Sequence, residues 1–218
     1  MKKRDVLKAI VSGILTYSPL ANAVMTAISS YASEKRNRAV NLFIEEMLLR
    51  MDTLEQSMSE HYLKSDEFCA LATKSINKVV MDTRKQKVKL FSDYLSGTAL
   101  QSNIHENNKF IYLEILDRVE ETHLCFLHRM ISERHGLEYY GWVGHDSDCK
   151  ILKVSLTDFP IYTSYLSSLG LVSKLYESDF DEETGEISVY EYYLASSYGE
   201  KFMNYLIDCK VSDLRKDS

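Results

Sequence analysis

The sequence predicts a mainly α chain of the α+β class: a helical domain over residues 1–105, then a domain over residues 106–218 that ends in helix, β-hairpin and helix. Three observations carry that expectation. Glycine and proline are scarce, 8 and 2 residues in a chain of 218, so few breakers interrupt helices. Apolar residues recur at spacings of three and four through much of the chain, the period of one helix face. Two β-rich runs occur only near the end, on either side of an acidic stretch that contains a glycine turn. A chain of this length can enclose a substantial core.

Residues 6–31 combine apolar and small side chains, broken once at Pro19, and fit two short helices. With Met1-Lys-Lys-Arg4 before them and Ala21-Asn-Ala23 inside them, they imitate a signal peptide. Asp5, Lys8, Ser12, Thr16 and Ser18 interrupt the apolar region, and no window reaches the roughly 18 apolar residues of a membrane span. The expectation is a cytoplasmic protein; a membrane-interface position for residues 6–31 is an alternative.

From Glu34 the positions Val40, Phe43, Ile44, Met47, Met51, Leu54 and Met58 form one helical stripe. Lys35, Arg36 and Arg38 stand at its start, where the helix dipole favours acids, so they are candidate anion-binding residues. A second helix starts at Ser65 or Asp66, carries Phe68, Leu71, Ala72, Ile76, Val79 and Val80, and extends toward Leu95 before Gly97 ends it. Its cations Arg84, Lys85, Lys87 and Lys89 fit a solvated face or an anion-binding surface. Residues 101–108 are polar enough for a linker, which places the domain boundary near 105. A third helix covers Phe110 to Ile131, Gly136 stops it, and an irregular connection follows to Cys149.

In the last third, Ile151-Leu-Lys-Val154 is a short strand candidate, and Thr157-Asp-Phe-Pro160 opens a helix with proline in its first turn. Gly170 caps that helix; Leu171–Tyr176 and Ile187–Leu194 form the hairpin, and a final helix starts near Ser197. Leu166-Ser-Ser-Leu-Gly-Leu-Val172 and Tyr193-Leu-Ala-Ser-Ser-Tyr-Gly199 resemble the recognition-helix end, wing and final-helix start of bacterial winged-helix domains. The resemblance covers about 60 residues and implies a winged-helix-like fold, a module that serves DNA and protein contacts alike. The first half, with Arg38-Ala-Val-Asn-Leu-Phe-Ile-Glu-Glu46 and Lys85-Gln-Lys-Val-Lys-Leu-Phe-Ser-Asp-Tyr-Leu95, resembles uncharacterised bacterial helical proteins. Some of those are accessory parts of phage-defence or mobile-element loci, which is the setting this resemblance implies.

Charge separates the candidate functions. The net charge of −6 divides into +4 over residues 1–110 and −10 over residues 111–218. A recognition helix over residues 158–169 contains no lysine or arginine, and the wing over residues 177–186 has six acids and no base. Such a module repels a phosphate backbone, so it is expected to meet other polypeptides. Any DNA contact must come from the basic first half. Ten of the 15 tyrosines follow residue 138, and Tyr162, Tyr165, Tyr190 and Tyr192 are the candidate partner-binding residues, with core packing as the competing use of tyrosine.

No phosphate-binding loop, dinucleotide fingerprint, nucleophile elbow or zinc-protease helix occurs, and an enzyme is not expected. His123 and Cys125 point about 200° apart on a helix and cannot share an ion with His128, and His135, His145 and Cys149 lack a fourth ligand at recognisable spacing. No metal or cofactor is expected. The scattered Cys69, Cys125, Cys149 and Cys209 read as reduced, apolar fillers. The function expected is a non-enzymatic interaction or regulatory module with a protein partner or a second copy; a DNA-binding regulator and a membrane-interface protein are the alternatives.

Overall fold

The computed structural model describes residues 34–54, 60–63, 65–99, 106–133, 141–180 and 187–208. The segment 6–31, the 101–105 linker and the turn at 183–185 lie outside them. The described chain is mainly helical with one two-stranded antiparallel sheet. It divides into two compact units, after Arg118 and again after Tyr205.

The first unit contains α1 (Glu34–Leu54), α2 (Glu60–Leu63), α3 (Asp66–Met81), α4 (Lys85–Thr98) and α5 (Glu106–Arg118). Helix α1 buries Val40, Phe43 and Met47 of its predicted stripe, together with Ala39; Ile44 is half-buried, and the burial of Met51, Leu54 and Met58 lies outside what is described. Ser65 caps α3 by accepting from Phe68 N at 3.2 Å. The single long helix expected from Ser65 to Leu95 is two helices. Asp82 breaks it: its Oδ1 accepts from Arg84 N at 3.1 Å, giving the backbone a local alternative to the helical ladder.

Helix α4 is central, and its residues Phe91 to Thr98 are all buried. A helix enclosed on every face must settle its polar side chains internally, and these bond back along the helix. Ser92 Oγ donates to Lys89 O, Ser96 Oγ to Ser92 O and Thr98 Oγ1 to Leu95 O, at 2.7–2.8 Å. Asp93, 1% exposed, pairs with Arg50 of α1 at 2.6 Å. Residues 106–118, placed after the boundary by the linker composition, group with the first unit because α5 is tied to α3 and α4 by buried lysines described below.

The second unit contains α6 (Glu121–Ser132), α7 (Asp146–Leu152), α8 (Asp158–Ser168), β1 (Val172–Phe180), β2 (Ile187–Ala195) and most of α9 (Ser197–Asp208). The expected third helix is also interrupted, at Val119-Glu120. Glu120 caps α6 in a reciprocal box in which His123 Nδ1 accepts from Glu120 N at 3.0 Å. The strand expected at Ile151–Val154 is instead the end of α7, which stops at Lys153 in the left-handed region (φ 52°). Part of the irregular connection before it is structured by Asp148, whose carboxylate accepts from Val143 N and Gly144 N at 2.9 and 3.1 Å.

The core of this unit surrounds Trp142, whose Nε1 donates to Met130 O at 3.3 Å. Phe126, Leu127, Phe159, Leu166, Tyr193 and Phe202 are buried with it. Ser196 fixes the base of the hairpin: its N donates to Leu171 O at 2.9 Å, its Oγ donates to Gly170 O at 2.6 Å, and the same Oγ accepts from Gly199 N at 2.9 Å.

Candidate functional site

Two groups of side chains stand out, a polar cluster inside the first unit and the hairpin of the second. In the first unit the expected anion-binding residues differ in exposure and in pairing. Lys87 is 2% exposed, and its ammonium donates to Leu116 O and Asp117 O at 2.8 and 3.0 Å, capping the carbonyl end of α5. Arg84 is held by Asp82 through Nε at 2.9 Å, and this pairing holds the Asp82 carboxyl below its ordinary range. Arg38 pairs with Glu34 one turn away. Lys35 and Lys85 are exposed, while Arg36 and Lys89 are half-buried.

Sequence reading missed the buried lysine cluster. Lys109 is 0% exposed, and its Nζ donates to Glu67 Oε1 at 2.7 Å and to Tyr62 OH at 3.1 Å. Tyr62 OH donates to the same carboxylate at 2.8 Å, and the ammonium lies 4.5 Å from the Tyr62 ring centroid. Tyr94 OH donates to Lys109 O. Farther along α5, Lys78 bridges Glu114 and Asp117 at 2.9 and 2.7 Å, and Lys74 meets Glu114 at 2.7 Å. Burial pushes the Glu114 carboxyl up, but the Lys74 and Lys78 hydrogen bonds outweigh it, and the net direction is down. These groups satisfy one another, Lys109 in the interior and Lys74, Glu114 and Asp117 at the partly exposed end of the cluster.

In the second unit Tyr162 and Tyr165, one turn apart on α8, both face His123, with ring centroids 4.9 and 4.8 Å away. Phe126 and Phe159 continue the aromatic cluster to Tyr193. These two tyrosines therefore serve packing as well as surface. Tyr190 and Tyr192 are on the hairpin, on one face of β2, with Tyr193 on the other.

Among the described residues the hairpin carries five exposed large apolar side chains, Leu175, Tyr176, Ile187, Val189 and Tyr190, between 39% and 67% exposed. The register places Leu175 opposite Tyr192, Glu177 opposite Tyr190 and Ser178 opposite Val189. At its base the sheet is anchored by buried Val172, Tyr193 and Ala195. Between base and tip, Lys174 Nζ pairs with Glu191 Oε2 at 2.7 Å and lies 5.2 Å from the Tyr176 ring centroid. The Glu191 hydrogen bond raises the lysine, and the lysine lowers the Glu191 carboxyl. Leu175, Ile187 and Val189 were not singled out by sequence; their alternation with Glu177 and Ser188 on the strands was the available signal.

Among the described residues no three His, Cys, Asp or Glu side chains gather as a metal site. Burial, and then Asp66 for Cys69 and Asp148 and Asp146 for Cys149, push both thiols up, so neither is a ready thiolate. Among the described residues no helix is long and apolar enough to cross a membrane. Comparison with protein-family models, curated proteins and solved structures finds no match to this chain.

Proposed function

We propose that the chain is a non-enzymatic interaction or regulatory module whose second unit, winged-helix-like in its arrangement, engages a partner polypeptide through its hairpin. The observation that carries this reading is the set of exposed apolar side chains on the hairpin, Leu175, Tyr176, Ile187, Val189 and Tyr190. Exposed apolar side chains concentrated on one arm are characteristic of a contact surface, and their rim here is acidic. The order helix, two-stranded antiparallel sheet, helix supports the winged-helix reading. The lack of any Lys or Arg on α8 directs it toward protein and away from DNA.

For the alternative, a DNA-binding role of the first unit, Lys87 is engaged in capping a helix and Arg84 in pairing with Asp82, which leaves Lys35 and Lys85 as its exposed cations outside those contacts. A cytoplasmic setting, which rests on the interrupted apolar segment 6–31, and an accessory role in a bacterial defence or mobile-element system, which rests on the sequence resemblance, belong to the same proposal.

The test compares the native chain with a Leu175→Ser, Val189→Ser, Tyr190→Ser variant in affinity capture from extract of the source cells, with bound proteins identified by mass spectrometry. A defined partner that the native chain retains and the folded variant loses is the expected result. Equal retention by both, or capture of nucleic acid alone, overturns the proposal.

A further inference from the structure

The β2 edge of the hairpin is met by Trp142 at Tyr193, and among the described residues its β1 edge meets no strand. Trp142 pairs with Tyr193 through two hydrogen bonds, Trp142 N to Tyr193 O and Tyr193 N to Trp142 O, both at 2.9 Å. The backbone groups of Tyr193 therefore point away from β1. In an antiparallel ladder this direction alternates residue by residue. Even-numbered residues of β2, 190, 192 and 194, thus face β1 and bond to their opposites Glu177, Leu175 and Ser173. The backbone N–H and C=O groups of Lys174, Tyr176 and Ser178 face the other way, and among the described residues no strand pairs with that edge. All three residues are exposed.

An open strand edge is a template for another strand, and the side chains along it state what that strand carries. Leu175 and Tyr192 share a face and offer an apolar contact. Glu177, on that same face, has no ion-pair partner among the described residues. The stretch 177–186 holds six acids and no base, and residues 111–218 carry −10. A second copy of this chain brings the same acids to the edge and is repelled; a basic strand is attracted.

We infer that the outer edge of β1, at Lys174, Tyr176 and Ser178, accepts an extended segment of another polypeptide with alternating apolar and basic side chains, which joins the sheet as a third strand. This inference rests on the interaction reading above and adds the mode and the chemistry of the partner.

The test uses the full chain and a nine-residue peptide of alternating lysine and valine with a fluorescent label. Its controls are an alternating glutamate–valine peptide and a lysine–valine peptide N-methylated at alternate amides. The lysine–valine peptide binds, weakens as salt is added, and slows hydrogen exchange of the Lys174, Tyr176 and Ser178 amides by roughly tenfold or more. Neither control does. Tyr176→Pro removes an outward N–H without touching the bonds to β2, so it abolishes binding, while Tyr176→Phe retains it. Exchange at the β2 amides checks that the hairpin persists in the proline variant.

Absence of binding at about 1 mM peptide, or equal binding by the N-methylated peptide or by Tyr176→Pro, overturns strand addition. So does a concentration-dependent dimer of the chain alone whose interface protects these amides. The interaction reading fails separately, on the Leu175, Val189 and Tyr190 variant; if that variant loses a captured partner which Tyr176→Pro still retains, side-chain docking stands and strand addition does not.

Discussion

Replacing Lys109 by methionine tests whether the buried lysine cluster organises the first unit. The substitution keeps most of the apolar stem that fills the site and deletes only the ammonium. That group donates to Glu67 and Tyr62 and lies over the Tyr62 ring. A hydrogen bond to a charged group contributes about 1.5–3 kcal/mol, and a desolvated cation–π contact about 1–2 kcal/mol. Glu67, part-exposed at 21%, regains some water and keeps the Tyr62 hydroxyl, which offsets part of the loss. The expected destabilisation is about 2–4 kcal/mol, below the upper range for orphaning a fully buried ion. Urea unfolding followed by circular dichroism reads it as a lowered midpoint at unchanged slope. A double-mutant cycle with Glu67→Gln isolates the pair, and a coupling of about 1 kcal/mol or more is expected. A Lys109→Met chain within about 0.5 kcal/mol of native refutes the reasoning, because surface substitutions have effects of that size.

Lys87→Met leaves the Leu116 and Asp117 carbonyls without their donor and is expected to cost about 1–3 kcal/mol in the same urea assay, while leaving duplex DNA binding at low salt unchanged. Gly199→Ala places a Cβ 2.1 Å from Leu171 O, so the final helix must shift at the hairpin base. A loss of about 2 kcal/mol or more is expected, read from the fluorescence of Trp142, the single tryptophan. Glu114, whose folded carboxyl lies below its ordinary range, stabilises the fold above the unfolded carboxylate range; that contribution is lost as pH falls through its folded value. Glu114→Gln therefore flattens the acid limb of the stability profile by under about 1 kcal/mol, since the carboxylate is substantially exposed.

Apolar spacing made α1 legible from the first turn, and the hairpin followed from two β-rich runs with a turn between them. What the periodicity did not reveal was where long helical patterns break. Both breaks are made by single acidic side chains that bond local backbone, Asp82 to Arg84 N and Glu120 in its box with His123. Neither disturbs the apolar period. Helix α7 was concealed by the β-branched Ile151 and Val154, although Asp146 and Asp148 in its first turn were a helix-start signal. Lys87 read as one of four similar cations, yet it stands four and seven residues before the buried Phe91 and Tyr94, on their stripe. At the candidate surface, the two faces of β2 were legible, with Tyr190 and Tyr192 on one and Tyr193 on the other; that Tyr190 is exposed, Tyr192 half-buried and Tyr193 buried was not, nor was the exposure of Leu175, Ile187 and Val189. Alternation along a strand gives its two faces, but it does not say that both stand in water.

The ammonium of Lys109 also constrains what α5 can do while folding. Greasy contacts tolerate a helix that slides or rotates by one position, since one aliphatic neighbour replaces another at little cost. A single-residue slip here would carry a cation away from the only carboxylate bonded to it among the described residues and leave it stranded in an apolar interior. Mis-set versions of the bundle are thereby penalised far more than loosely packed ones, and the helix has one seat.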